Sequence, residues 1–188
     1  MKSEIKILKL MLQNRENKFT IRQLSKSAKI NYRIAHEKVT KLEKEGLIKT
    51  TKIGNSRICE LANAFNHKIF EAEYQRRQDF LKNKNMLILC NRLQELKFGF
   101  IALLFGSYAK GTADKDSDID ILTIGGMEKE IRLALSLLPE KMHLTHVTYQ
   151  EFIQMAKSRE FTVVSEAMKC NVLLAGIEEY YRLLKNAR

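Results

Sequence analysis

The chain holds only three cysteines, Cys59, Cys90 and Cys170. They are odd in number and widely spaced, with neither a CxxC pair nor zinc-ligand spacing. This argues against a disulfide framework and predicts reduced, mostly buried thiols in a cytoplasmic protein. Long hydrophobic runs are also missing: the longest, around residues 86–90 and 100–105, are far too short to cross a bilayer, so no membrane partner is expected. The opening residues Met1, Lys2, Ser3, Glu4 and Ile5 lack the apolar core and small-residue cleavage site of a secretory signal. Internal repeats and low-complexity tracts are absent as well. What is present is 188 residues with 45% hydrophobic and 29% charged side chains. That composition fits a soluble globular protein of one or two small domains and excludes a large multidomain enzyme. Lys and Arg number 33 against 22 Asp and Glu, a net charge of +11 that suggests a polyanionic partner.

The positive charge is concentrated. Residues 1–65 hold 15 Lys and Arg against 6 Asp and Glu, a net of +9, whereas residues 66–188 hold 18 against 16, a net of +2. Such asymmetry points to nucleic acid for the first third of the chain. Ile5, Leu8 and Leu12 repeat at helical spacing. Thr20 and Gln23 form the pattern of a capping box that opens a second helix to about Ala28. Asn31 caps a third helix to about Glu45, and Gly46 terminates it. On that helix Ala35, Val39 and Leu42 share one face, while Arg33, Glu37, Thr40 and Lys44 occupy the other, flanked by His36 and Lys41. Two short strands follow, over 47–51 and 57–61, joined at Gly54 and Asn55. This order resembles a winged helix-turn-helix domain that binds double-stranded DNA. The resemblance implies a third helix (Arg33, His36, Thr40, Lys41, Lys44) in the major groove and hairpin cations (Lys49, Lys52, Arg57) near phosphates. Glu37 would either read a cytosine amino group or pair with Lys41 one turn on. DNA-binding winged helices often act as dimers, which makes a homodimer the matching expectation.

Residues 66–97 contain neither glycine nor proline. They read as one long helix, or two abutting helices, whose later part joins the C-terminal core.

An apolar run over residues 100–105 reads as a buried strand. It meets Gly106 and Ser107, where a helix opens and backbone N–H groups become free for phosphate. Ser117, Asp118, Ile119 and Asp120 then begin a second strand. A period of two places Asp118 and Asp120 on one face and turns Ile119 and Ile121 into the core. Paired carboxylates beside a phosphate cradle suit Mg²⁺, which takes hard oxygen ligands and shares substrate phosphates. Asp114 and Asp116 read as solvated turn residues.

Gly106 and Ser107, ten residues, then Asp118 and Asp120 resemble the nucleotidyltransferase signature of the DNA polymerase beta superfamily, most closely its minimal members. The resemblance implies transfer of a nucleoside monophosphate from ATP or another nucleoside triphosphate, with release of pyrophosphate. Gly106, Ser107, Lys110 and Ser117 would bind the nucleotide, and Asp118 and Asp120 would hold two divalent ions, Mg²⁺ or Mn²⁺. At the family level it also allows a toxin-like protein partner. Lys110 stands where arginine is common. A third carboxylate is expected on a later strand, after a helix over 127–138 and Pro139. That strand, residues 141–148, contains no acid. His143, with Thr145 two residues on, takes the equivalent face, as a metal ligand or base or simply as a polar surface residue. Residues 161–188 read as helix around a packed core. The whole is expected to be an α+β protein: winged helix-turn-helix over 1–65, helical linker over 66–97, and a nucleotidyltransferase-like mixed sheet with flanking helices over 98–188. The alternative function is a transcriptional regulator with a degenerate, nucleotide-sensing or assembly-mediating domain.

Overall fold

The apolar repeat of Ile5, Leu8 and Leu12 becomes α1 (Ser3–Gln13), with all three side chains buried beside Ile7 and Met11. The computed structural model describes residues 2–62, 64–138, 141–158 and 160–187; Pro139 and Arg188 lie outside them. The chain forms two units, Met1–Gln75 and Arg76–Arg188.

In the first unit, a strand of two residues, β1 (Phe19–Thr20), precedes α2 (Ile21–Ser27). Two residues are too few to show a period, which is why the sequence pattern hides β1. The capping box is formed: the Gln23 N–H donates to Thr20 Oγ1 at 3.1 Å, and the Thr20 N–H donates to Gln23 Oε1 at 2.7 Å. A tight turn through Lys29 (φ 51°) leads to α3 (Tyr32–Lys44), whose cap is the Asn31 side chain accepting from the Arg33 N–H. Gly46, at φ 72°, lets the chain leave α3 in the left-handed region that L side chains avoid. The hairpin β2 (Ile48–Ile53) and β3 (Ser56–Leu61) follows, and the sheet order is β1-β3-β2, all antiparallel. Leu8, Leu12, Leu24, Val39 and Leu42 are fully buried, each contributing about 1.5–3 kcal/mol of transfer free energy. Glu4, nearly buried, anchors an ion network: Lys41 donates to it at 3.0 Å and Lys68 at 2.8 Å, and Lys68 also meets Glu45 at 2.6 Å.

Residues 66–97 form two helices, α4 (His67–Phe80) and α5 (Lys84–Gln94). Without glycine or proline, the break comes from Asn83, whose side chain accepts from the Asn85 and Met86 N–H groups and caps α5.

The second unit continues with β4 (Ile101–Phe105), α6 (Gly106–Lys110), β5 (Ile119–Ile124), α7 (Glu128–Ser136), β6 (Met142–Val147) and α8 (Tyr149–Lys157). It closes with α9 (Val163–Lys169), β7 (Val172–Ala175) and α10 (Ile177–Asn186). The sheet is mixed, in the order β6-β5-β4-β7: β4 is antiparallel to β5 and β7, and β6 is parallel to β5. Met86, Leu89 and Leu93 of α5 pack with Ala102, Leu104, Ile121 and Ile131 in the core. The protein is therefore α+β with a mixed sheet and flanking helices. The helical expectation for residues 161–188 is corrected: a strand interrupts it. The run 172–175 sits between Asn171 and Gly176 (φ 70°), and pairing with β4 overrides helical propensity. Arg77 on α4 donates to the Leu174 carbonyl at 3.0 Å, and the buried Arg76 donates to that of Asn171, so both carbonyls at this strand have partners. All three cysteines are free thiols; burial raises the Cys59 thiol pKa to about 11 and that of Cys90 upward as well. No helix among the described residues is long and apolar enough to cross a membrane.

Candidate active site and basic face

At the C-terminal end of β4, the chain turns into α6 at Gly106, whose φ is 68°. A Cβ at Gly106 would overlap Asp120 Oδ2 and stand 3.1 Å from Asp120 Cγ. Glycine is thus required for two reasons: its backbone conformation, and the close approach of the Asp120 carboxylate. Antiparallel register explains that approach, because Phe105 pairs with Asp120. Ile119 and Ile121 are buried, so the alternation along β5 turns Asp118 and Asp120 to the opposite side.

The parallel neighbour β6 sets His143 against Asp120, with Nδ1 3.5 Å from Asp120 Oδ1. One step earlier, the Ile119 N–H donates to the Lys141 carbonyl at 2.9 Å. Lys141 Nζ then lies 3.0 Å from Asp118 Oδ2. Asp120 of β5 therefore meets His143 of β6, and Asp118, just before β5, meets Lys141, just before β6. Thr145, two residues beyond His143, pairs instead with Leu122. Asp118 Oδ1 is buried and has no hydrogen-bond partner among the described residues.

The other nucleotide-binding candidates are placed less directly. Ser107 opens α6 beside Gly106. Lys110, at the end of α6, donates to Glu166 of α9 at 3.1 Å. The Ser117 hydroxyl donates to Asp114 Oδ1 at 2.8 Å and accepts from the Asp114 N–H at 2.9 Å. The Ser117 hydroxyl and the Asp116 amide hold the Asp114 carboxyl below its ordinary pKa, as suits a solvated turn. The two carboxylates, Gly106 and His143 thus come together, whereas the Lys110 and Ser117 side chains are occupied by neighbours.

Residues 89–177 match the family model of the nucleotidyltransferase domain. No curated protein and no solved structure matches the chain. The matched segment begins within α5, contains Gly106, Asp118, Asp120 and His143, and ends at the start of α10.

The fit of a divalent ion to this nucleotidyltransferase-like site rests on its oxygens. A buried carboxylate oxygen without a partner is costly unless a ligand completes it, and Asp118 Oδ1 is such an atom. Hard oxygen donors suit Mg²⁺ or Mn²⁺. No cluster of three or more His, Cys, Asp or Glu able to hold a metal occurs among the described residues. An ion on Asp118 and Asp120 would therefore share the phosphates of a bound nucleotide. Lys141 is the neighbour that sequence reasoning missed. Its signal was the spacing, since Lys141 precedes His143 by two residues as Asp118 precedes Asp120.

On the first unit, Arg33, His36, Lys44, Lys49 and Lys52 are exposed. Lys41 is exposed but tied to Glu4. Arg57 is half-buried and donates to Glu43 at 2.6 Å and to Thr50 at 3.2 Å, with Thr40 at 3.4 Å. Glu37 pairs with Lys38 at 2.9 Å and not with Lys41, whose ammonium is drawn to the less exposed Glu4. Hydrogen bonding from Lys38 lowers the Glu37 pKa. Between α2, α3 and the hairpin lies a cleft of about 800 Å³. Arg22, Lys26, His36, Lys52 and Arg57 line it, and no carboxylate does. Arg22 and Lys26 were not expected there: on α2 they belong to no motif, and only the fold carries them opposite the hairpin.

Proposed function

We propose that the second unit binds a nucleoside triphosphate, ATP in the first instance, with Mg²⁺ or Mn²⁺ on Asp118 and Asp120. In this reading it transfers the nucleoside monophosphate to a protein or small-molecule acceptor. One observation carries this: Asp118, at the entry to β5, and Asp120 on it alternate with buried isoleucines, Asp120 packed on the Gly106 backbone, inside a segment matching a nucleotidyltransferase domain. In the transfer, the acceptor oxygen bonds to the α-phosphorus and the bond to the bridging oxygen breaks. Pyrophosphate leaves, and the acceptor proton passes to a base. The divalent ion, when bound, neutralises phosphate charge. The Gly106 turn lets the nucleotide approach the backbone closely, Asp118 supplies a desolvated oxygen, and the His143 imidazole beside Asp120 is placed to receive the proton. Mg²⁺-dependent labelling by α-labelled ATP tests the assignment. Asp118→Ala should abolish it, and labelling that survives would remove Asp118 from the chemistry.

A second reading is favoured by residues 141–147, which offer Lys141 and His143 where the family pattern expects an acid. Here the domain senses nucleotides within a transcriptional regulator and does not turn them over. Calorimetry with ATP and Mg²⁺ beside a turnover assay separates the two, because binding without product selects the sensor.

For the first unit the proposal is a winged helix-turn-helix that binds double-stranded DNA. The order helix, strand, helix, helix, hairpin supports it, as do the cations Arg22, Lys26, Lys52 and Arg57 lining the cleft beside α3. Arg22 and Lys26 then join Arg33, His36, Lys44, Lys49 and Lys52 as backbone or groove contacts, with Arg57 braced by Glu43. A salt-dependent mobility shift on duplex DNA is the expected result. The absence of any shift, with heparin retention no stronger than that of a residue 76–188 fragment, would contradict it.

A further inference from the structure

Lys141, just before β6, and His143 on it stand two residues apart; the parallel register pairs His143 with Asp120, and the Ile119 N–H to Lys141 carbonyl bond brings Lys141 beside Asp118. Lys141 Nζ is 3.0 Å from Asp118 Oδ2, and His143 Nδ1 is 3.5 Å from Asp120 Oδ1. Of the remaining oxygens, Asp120 Oδ2 lies against the Gly106 backbone, and Asp118 Oδ1 is buried with no partner among the described residues. The anionic charge available to metal is correspondingly small: two carboxylates less one ammonium leave a net of −1 when the imidazole is neutral. An acid in place of Lys141 would have made the total −3. Two divalent ions a few ångströms apart need several anionic ligands to offset their repulsion. This acid pair, with a lysine already on it, provides for one.

We propose that Lys141 stands in for a second divalent ion. The nucleotide then binds with a single Mg²⁺ on Asp118 and Asp120, and the Lys141 ammonium serves as the second cation on its phosphates. The inference rests on the nucleotide-binding reading of the same site. Lysine suits the role as a point charge on a long flexible stem that binds phosphate through rotatable donors. At 83% side-chain exposure, Lys141 has room to move from Asp118 to a phosphate oxygen. Lys110, the other lysine of the nucleotide-binding set, does not replace it, since its ammonium is held by Glu166.

The test counts metal ions on the full chain. With a non-hydrolysable ATP analogue at saturation, electron paramagnetic resonance of Mn²⁺ should report one bound ion per chain in the wild type. It should report two in Lys141→Glu, which sets an acid beside Asp118. In Lys141→Ala one ion remains, and analogue affinity falls about 10-fold or more, the scale of one charge-assisted contact. Because the side chain is exposed, all variants should keep the wild-type circular dichroism spectrum. Two ions in the wild type, or unchanged analogue affinity in Lys141→Ala, overturns the inference and leaves the nucleotide reading standing. A wild type that binds no analogue with Mn²⁺ overturns both.

Discussion

Alanine at Gly106 and alanine at Gly111 make a matched pair of perturbations. Both positions have positive φ, 68° and 73°, so an L side chain costs about 1–2 kcal/mol at either from backbone strain. Their surroundings differ. Around Gly111 a Cβ meets nothing within 4 Å, whereas at Gly106 it overlaps Asp120 Oδ2 and lies 3.3 Å from Asp120 Cβ. Asp120 is short and sits in a strand, so its carboxylate must rotate off its preferred rotamer, adding about 0.5–1.5 kcal/mol. Gly111→Ala should therefore cost about 1–2 kcal/mol, and Gly106→Ala about 1.5–3.5 kcal/mol, summing the two effects. The excess must disappear in an Asp120→Ala background, where the overlapping atoms are gone. Urea denaturation followed by far-ultraviolet circular dichroism, with midpoints compared at a common slope, measures all of these. Equal costs of Gly106→Ala with and without the Asp120 side chain would refute the close approach on which the site is built.

Glu4→Gln should destabilise the first unit by about 1–2 kcal/mol, the order of losing charge-assisted hydrogen bonds from Lys68 and Lys41. The Lys68 hydrogen bond, with that of Lys41, holds the folded Glu4 pKa below its ordinary value. Its stabilisation is therefore present above the unfolded pKa and lost as pH falls through the lower folded one; acid titration of stability should lose this component in Glu4→Gln. Leu104→Ala, at a fully buried position in the central strand, should cost about 2–5 kcal/mol by thermal or urea unfolding. Lys44→Ala and Lys49→Ala should each weaken duplex binding similarly for all sequences and reduce the salt slope by about 1, read from mobility shifts at several salt concentrations.

Features set by neighbouring residues were legible in the sequence. The Thr20 capping box, the Asn31 cap and the Gly46 terminator depend on contacts within a few residues, and all appear as expected. The alternation of Asp118 and Asp120 with isoleucines was readable because a strand has period two. What depends on distant partners was not. β1 exists through pairing with Cys59 and Ile58, and β7 through pairing with β4. Lys41 is claimed by Glu4, 37 residues away, and Lys110 by Glu166, 56 residues away. The same holds at the acid pair: the missing acid on β6 showed in the sequence, but that Lys141 sits on Asp118 required the register of β5 and β6.

Asp118 and Asp120 are proposed to form a nucleotide site dependent on a divalent ion. Isothermal titration of a non-hydrolysable ATP analogue into the full chain, with Mg²⁺ and then with EDTA, tests it most directly. Binding should require Mg²⁺ in the wild type and be lost in Asp118→Ala and in Asp120→Ala, each still folded by circular dichroism. Equal binding with and without Mg²⁺, or undiminished binding in both variants, would contradict it.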